Sequence, residues 1–207
     1  MKLFYTPNSP YARVCRIVAD THGLSGALEL VRVPLRDAES SLIPLSTMGR
    51  VPVLVDGDLV LSEARHICAY LDEKAGSGPS VAAYGDWPSV AREAAALAFL
   101  DAVTVWTREV RRSEDERSPF LLQVEEEQVM RMITYYDGVL AAPAGAPVLN
   151  FETICIAVAM GSLNFYELAQ NWLVDYPNFV AWVDAYNALS VMQNTVPSAA
   201  AMNLFTR

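Results

Sequence analysis

The stretch RVPVLVDGDLVLSEARHICAYLDEK, residues 50–74, determines how the first half of the chain folds. Two apolar runs, Pro52–Val55 and Leu59–Leu61, flank an Asp-Gly-Asp turn. Because the glycine of that turn can adopt a positive φ, the two runs are predicted to pair as an antiparallel hairpin. Apolar residues then recur at helical spacing, which predicts a helix capped by Ser62 and reaching about Lys74.

Upstream of the hairpin, strand-like and helix-like segments alternate. Lys2–Thr6 is predicted to be a strand, the segment from Pro10 to about His22 a helix, and Ala27–Val33 a second strand. Residues 38–46, bracketed by prolines, are predicted to form a short irregular helix. The order β-α-β-α-β-β-α, with a right-handed βαβ crossover and the hairpin, gives a small mixed sheet flanked by helices.

The second half of the chain has a different pattern. A Gly-, Ser- and Pro-rich segment at 75–80 favours a domain boundary, so we expect domains at 1–75 and 88–207 joined by a linker at 76–87. Beyond it the apolar spacing is helical throughout, with breaks at prolines. The predicted helices are 88–112, 121–140, 150–169 and 177–189.

Composition and charge exclude several classes of function. The chain has 15 Lys and Arg against 24 Asp and Glu, and its formal charge of −9 repels nucleic acid and anionic membrane surfaces. The first residues lack the uninterrupted apolar run of a signal peptide, so we expect a cytoplasmic protein. Three widely spaced cysteines and two histidines indicate neither a disulfide framework nor a metal site.

Three local features could bind an anion or an extended peptide. Ser9 precedes a predicted helix, whose unpaired first-turn N–H groups attract an anion such as a thiolate; by itself it could equally be an ordinary N-cap. A cis Val51–Pro52 bond would leave the Val51 backbone to pair with a peptide, whereas a trans bond would indicate only an edge-strand proline. The helix that opens at Glu63-Ala64 offers N–H donors to a carboxylate.

The residues around these features resemble the glutathione transferases, in particular bacterial members with a serine at the active-site position of the first helix. The resemblance lies in Ser9–Arg13, Met48–Pro52 and Leu61–Asp72, together with a helical second half of suitable length. It implies a thioredoxin-like α/β N-terminal domain followed by an all-α C-terminal helical bundle. It also implies glutathione as co-substrate, a small apolar electrophile as second substrate, and a homodimer.

The resemblance gives each residue of the candidate glutathione site a role. Ser9 would hydrogen-bond the glutathione sulfur and lower the pKa of its thiol. Val51, next to Pro52, would pair with the cysteinyl backbone, and Arg50 would approach the glycyl carboxylate. Glu63 would face the γ-glutamyl ammonium. Ala64 would bind the γ-glutamyl carboxylate through its backbone amide.

The expected function follows from the same resemblance, with two departures from the family pattern. The electrophile pocket is expected beside Ser9 and Tyr11, with Trp106 facing it, and conjugation of glutathione is the leading hypothesis. Ala64 stands where the family usually has serine, so a non-catalytic binding or interaction protein of the same fold is the alternative. A thiol reductase would need a cysteine in place of Ser9. Asn150 is expected to cap a helix without the usual acidic partner.

Overall fold

The computed structural model describes residues 1–76, 78, 80–168, 171 and 173–197. The chain divides into two compact units. Within the described residues, the first unit consists of Met1–Ala83, Leu149–Phe151 and 194–197. The second consists of Tyr84–Val148 and the described part of Glu152–Gln193.

The first unit is built on a four-stranded mixed sheet. Its strands are β1 (Lys2–Tyr5), β2 (Glu29–Arg32), β3 (Val53–Asp56) and β4 (Leu59–Ser62), in the order β2-β1-β3-β4. The β1–β2 pair is parallel, and β3 pairs antiparallel with both β1 and β4. The predicted hairpin and mixed sheet are therefore confirmed.

Two long helices accompany this sheet. Helix α1 (Pro10–Thr21) begins at the N-cap Ser9 and buries Val14, Ile17 and Val18. It ends where Gly23, at φ +68°, adopts the left-handed conformation, and the Leu24 amide donates back to the Ala19 carbonyl. Helix α2 (Ala64–Ala75) buries Ile67, Cys68 and Leu71, and a short 3-10 turn, Ser25–Ala27, leads into β2.

The short helix predicted at 38–46 does not form, and that prediction is wrong. The segment is a series of turns in which the Ser40, Ile43 and Leu45 amides each donate to the carbonyl three residues earlier. Pro44 has no N–H with which to continue a helical ladder. The fully buried Leu42 anchors the segment in a small cluster with Phe4, Val33 and Val53.

Ser62 is not the cap of α2, so that prediction is also wrong. Ser62 is the last residue of β4, paired with Val53, and the N-cap is Glu63. The chain passes from strand to helix in a single residue because Glu63 takes a positive φ of 68°. Its side chain makes no capping hydrogen bond.

Every secondary-structure element described in the second half of the chain is a helix, as expected. The helices are α3 (Trp87–Val110), α4 (Pro119–Val139), α5 (Phe151–Phe165), α6 (Pro177–Asn187) and α7 (Ser190–Gln193), with 3-10 turns at Glu114–Glu116 and Leu173–Asp175. No helix in the described part of the chain is long and apolar enough to cross a membrane.

The helix predicted at 150–169 ends earlier, at Phe165, and residue 169 lies outside the described residues. Glu167 has a φ of 56°, and the Leu168 amide donates to the Leu163 carbonyl, which together close the helix. At the other end, α5 starts directly after Asn150. The Thr153 hydroxyl donates to the Val148 carbonyl at 2.9 Å.

Candidate functional site

Sheet register brings three segments to one edge of the first unit. Phe4, near the end of β1, pairs with Val53, the first residue of β3, and Val53 pairs with Ser62, the last residue of β4. The chain that leaves β1, the chain that enters β3 and the chain that leaves β4 therefore meet at the same edge. These are the segments that carry Ser9, Val51 and Glu63.

Ser9 is the N-cap of α1, with an extended backbone at φ −74° and ψ 113°. Its Oγ accepts a hydrogen bond from the Ala12 amide at 3.2 Å, and its own amide donates to the Thr6 carbonyl at 3.1 Å. The side chain is half-buried. Because a hydroxyl can accept and donate at once, Ser9 can cap the helix while its proton points to an acceptor beyond it.

The Val51–Pro52 bond is cis, which is the one of the two alternatives that leaves the Val51 backbone able to pair with a peptide. Pro52 is buried and Val51 half-buried, while the neighbouring Arg50 is exposed. The ladder of β3 begins only at Val53, so the backbone of Val51 lies outside the described sheet pairing. The backbone of Val51 can therefore pair with an extended peptide.

The first turn of α2 forms the third part of the candidate site. Glu63 is exposed, and Ala64, the first helical residue, is buried. The Ile67 amide donates to the Glu63 carbonyl, which leaves the amides before it without an intrahelical acceptor. Since the side chain of the N-cap residue Glu63 makes no capping hydrogen bond, the first N–H groups and the helix dipole favour a carboxylate.

Cys15 supports this first turn, and the sequence analysis missed that contact. The Cys15 thiol on α1 donates to the Ala64 carbonyl at 3.8 Å. The two residues are separated by 49 positions in the sequence. A small buried residue on an apolar helix face gives no signal of such a partner, so only the packing of α1 on α2 reveals it.

Asp72 was also missed, and it fixes the chain that follows α2. Its buried carboxylate accepts hydrogen bonds from the Ser80 amide at 2.9 Å, the Ser80 hydroxyl at 2.6 Å and the Val81 amide at 3.0 Å. The His22 ring lies 2.7 Å from the same carboxylate. Arg65 adds a hydrogen bond to the Ala82 carbonyl at 2.8 Å. We call Asp72, His22, Ser80 and Val81 the Asp72 clamp.

A buried cation lies in the same helix as Ser9. Arg13 is only 4% exposed, and its Nε donates to the Thr195 hydroxyl at 3.2 Å. Burial, and to a smaller extent the positive charge of Arg16, lower the pKa of Arg13 to about 10. The guanidinium is still charged at neutral pH, so α1 carries a fixed positive charge inside the unit.

The two residues predicted to line the electrophile pocket belong to different units. Tyr11 is half-buried on α1, and Trp106 is 5% exposed on α3. Their place in one pocket stays a prediction. No group of metal-ligating side chains occurs within the described residues, and all three cysteines are buried thiols.

Comparison with known proteins agrees with this fold. Residues 3–80 match the family model for the N-terminal domain of glutathione S-transferases. The chain is 28% identical, over 204 residues, to the uncharacterized GST-like protein YibF of Escherichia coli K12, covering 97% of this chain and 100% of that protein. It is 35% identical over 134 residues to a stringent starvation protein A homolog of Histophilus somni, covering 61% and 59% respectively.

Solved structures of glutathione transferases share the fold over nearly the whole chain. One, from Pseudomonas fluorescens Pf-5 with bound glutathione, has a TM-score of 0.84 at 24% identity and covers 96% of this chain and 99% of that one. Another, from Methylobacillus flagellatus KT with glutathione bound, has a TM-score of 0.82 at 25% identity and covers 95% and 99%. The thioredoxin-like domain and the helical second half thus have the fold of glutathione transferase structures.

Proposed function

We propose that the protein is a glutathione transferase that conjugates the glutathione thiolate to a small hydrophobic electrophile. The observation that carries the proposal is the meeting, at one sheet edge, of the Ser9 hydroxyl, the Val51 backbone beside a cis proline and the uncapped start of α2. The glutathione-bound relatives in the same fold support it.

The three features correspond to three parts of the tripeptide. Val51 pairs with the cysteinyl backbone and places the sulfur toward Ser9. The Ala64 amide and the dipole of α2 bind the γ-glutamyl carboxylate, while Glu63 faces the γ-glutamyl ammonium. The exposed Arg50 is available to the glycyl carboxylate at the other end.

Ser9 acts on the sulfur in the proposed reaction. Its hydroxyl donates a hydrogen bond to the glutathione sulfur, and the N-terminal end of α1 adds its dipole. Both favour the thiolate over the thiol, so the thiol pKa falls and the proton passes to solvent. The thiolate then attacks the electrophilic carbon, a carbon–sulfur bond forms, and the leaving group departs with its bonding electrons.

A non-catalytic member of the same fold is the second candidate. Ala64 lacks the hydroxyl that the family usually supplies to the γ-glutamyl carboxylate, which weakens one end of the site. The match to stringent starvation protein A homologs also supports this candidate, because their name does not describe a transferase. In this case the protein binds a partner and turns over no electrophile.

Two assays distinguish the candidates. A transferase is retained on immobilised glutathione, is eluted by free glutathione, and accelerates the reaction of glutathione with a chloronitrobenzene. Retention without turnover of any tested electrophile favours the binding protein, and absence of both overturns the glutathione site. Size-exclusion chromatography with light scattering tests the homodimer that we propose, and cell fractionation tests the proposed cytoplasmic location.

A further inference from the structure

Two cysteines are in contact between α1 and α2. Cys15 and Cys68 are both fully buried, and their sulfur atoms are 4.0 Å apart. The Cys68 thiol donates to Cys15 Sγ, and the Cys15 thiol donates in turn to the Ala64 carbonyl. The proposed conjugation uses neither thiol as a reactant.

We propose that Cys15 and Cys68 form an oxidisable pair that closes to an intramolecular disulfide when peroxide reaches it. A disulfide bond is about 2.0 Å long, so the two sulfur atoms must approach by about 2 Å from their present separation of 4.0 Å. Side-chain rotation at χ1 and a small shift of one helix against the other cover such a distance. The cross-link would join α1 to α2.

The chemistry balances with hydrogen peroxide as the oxidant. One thiol loses its proton and its sulfur attacks a peroxide oxygen. The O–O bond breaks, the departing hydroxide takes up that proton, and a sulfenic acid and one water form. The second thiol attacks the sulfenic sulfur, the S–S bond forms, the S–O bond breaks, and a second water leaves. Two thiols lose two electrons in total, and one peroxide is reduced to two waters.

Proximity decides which product forms. A sulfenic acid at either sulfur has the other thiol already in contact, so disulfide formation outruns attack by a second peroxide molecule. Burial limits the access of peroxide to both sulfur atoms, so the first step is slow. The geometry therefore predicts the identity of the product rather than a high rate, and it does so independently of glutathione binding.

The chain provides a matched control in its third cysteine. Cys155 on α5 is also fully buried, but it lies in the second unit. Cys155→Ala removes a buried thiol and leaves the pair intact, whereas Cys15→Ala and Cys68→Ala each remove one member of the pair. In all three variants the side chain is shortened by the same sulfur atom.

The test is treatment of the folded chain with excess hydrogen peroxide, alkylation of the remaining thiols in denaturant, and peptide mass mapping without reductant. We expect a cross-linked peptide that contains Cys15 and Cys68, one alkylated cysteine, and reversal by dithiothreitol. Cys155→Ala should keep the cross-link, and the other two variants should lose it. A urea-unfolded sample should instead give a mixture of pairings.

Three results would overturn the proposal. They are recovery of three alkylated cysteines after prolonged oxidation, sulfinic or sulfonic acid at Cys15 or Cys68 with no cross-link, and a cross-link that includes Cys155. Peptide mass mapping of the oxidised wild-type chain detects each of these results without any variant. The proposal therefore remains testable even if a cysteine variant fails to fold.

Discussion

Ser9 has a structural task and a proposed chemical task, and substitution can separate them. In Ser9→Ala we expect kcat to fall by about 100-fold or more, because a charge-assisted hydrogen bond at the reacting sulfur is lost. The lost N-cap should lower the free energy of unfolding by only about 1 kcal/mol. Steady-state kinetics and urea unfolding measure the two effects.

Ser118 offers a matched control for that substitution. It caps α4 as Ser9 caps α1, with the Leu121 amide donating to its Oγ at 3.2 Å and a proline following in each case. Ser118→Ala should cost similar stability and leave kcat unchanged. Equal losses of activity in the two variants would mean that the cap, and not the chemistry, explains the effect.

Ala64 is the position at which a gain of function is expected. Ala64→Ser adds a hydroxyl beside the proposed γ-glutamyl carboxylate, and a hydrogen bond to a charged group contributes about 1.5–3 kcal/mol. Glutathione should therefore bind about tenfold tighter or better, with kcat unchanged because the contact is remote from the sulfur. Calorimetry measures the affinity, and Ala69→Ser, at an exposed position of the same helix, serves as the control. Unaltered affinity in Ala64→Ser contradicts the proposed orientation of the tripeptide.

At the scale of elements, the Asp72 clamp attaches the chain after α2 to the first unit. Asp72→Asn replaces an acceptor carboxylate by a group that carries its own donors and faces two backbone amides. We expect the free energy of unfolding to fall by about 3 kcal/mol. Glu73→Gln, at the adjacent exposed position, should change it by less than about 0.5 kcal/mol. Similar urea midpoints for the two variants would rule out a stabilising clamp.

An aromatic stack in the helical unit contains a buried tyrosine hydroxyl that lowers the stability of the fold. Tyr136 packs against Phe99 and Phe179, and its buried hydroxyl has no hydrogen-bond partner among the described residues. Burial raises the pKa of this phenol, so the group is neutral at physiological pH. Tyr136→Phe should stabilise the fold by about 1 kcal/mol, because it removes a desolvated hydroxyl.

Tyr186 is the control for Tyr136, because Trp182 stacks on both Phe179 and Tyr186 and so joins Tyr186 to the same aromatic stack. Its hydroxyl donates to the Val148 carbonyl at 2.9 Å. Tyr186→Phe should therefore destabilise by about 1 kcal/mol, opposite in sign to Tyr136→Phe. Thermal unfolding of both variants tests the contrast, and a Tm that falls by the same amount in each would show that both hydroxyls are satisfied in solution.

For the whole molecule, the features predictable from sequence are those set by neighbouring residues. The hairpin followed from its turn, and the start of α1 followed from Ser9 and Pro10. The cis bond at Pro52 was one of two alternatives that the sequence left open, and the opening of a helix at Glu63-Ala64 was predicted. The family resemblance added roles to these residues, which local patterns could not supply.

The features that sequence could not predict depend on partners distant in the chain. Asp137, near the end of α4, accepts a hydrogen bond from the Phe179 amide at 2.8 Å and so caps α6, whose own N-cap residue makes no capping bond. The Asp72 clamp and the contact of Cys15 with Ala64 are of the same kind. The turns at 38–46 are held by the burial of Leu42, which outweighs local helical spacing.

Ultraviolet titration of the glutathione thiol bound to the protein tests the central proposal most directly. With the wild-type chain, thiolate absorbance should appear at a pKa well below the ordinary thiol value of about 8.5. At saturating glutathione, kcat/KM for the electrophile should rise with pH through that same pKa. Ser9→Ala should move both transitions to higher pH. A bound thiol that titrates at the ordinary value, or identically in wild type and Ser9→Ala, would contradict activation of glutathione by Ser9.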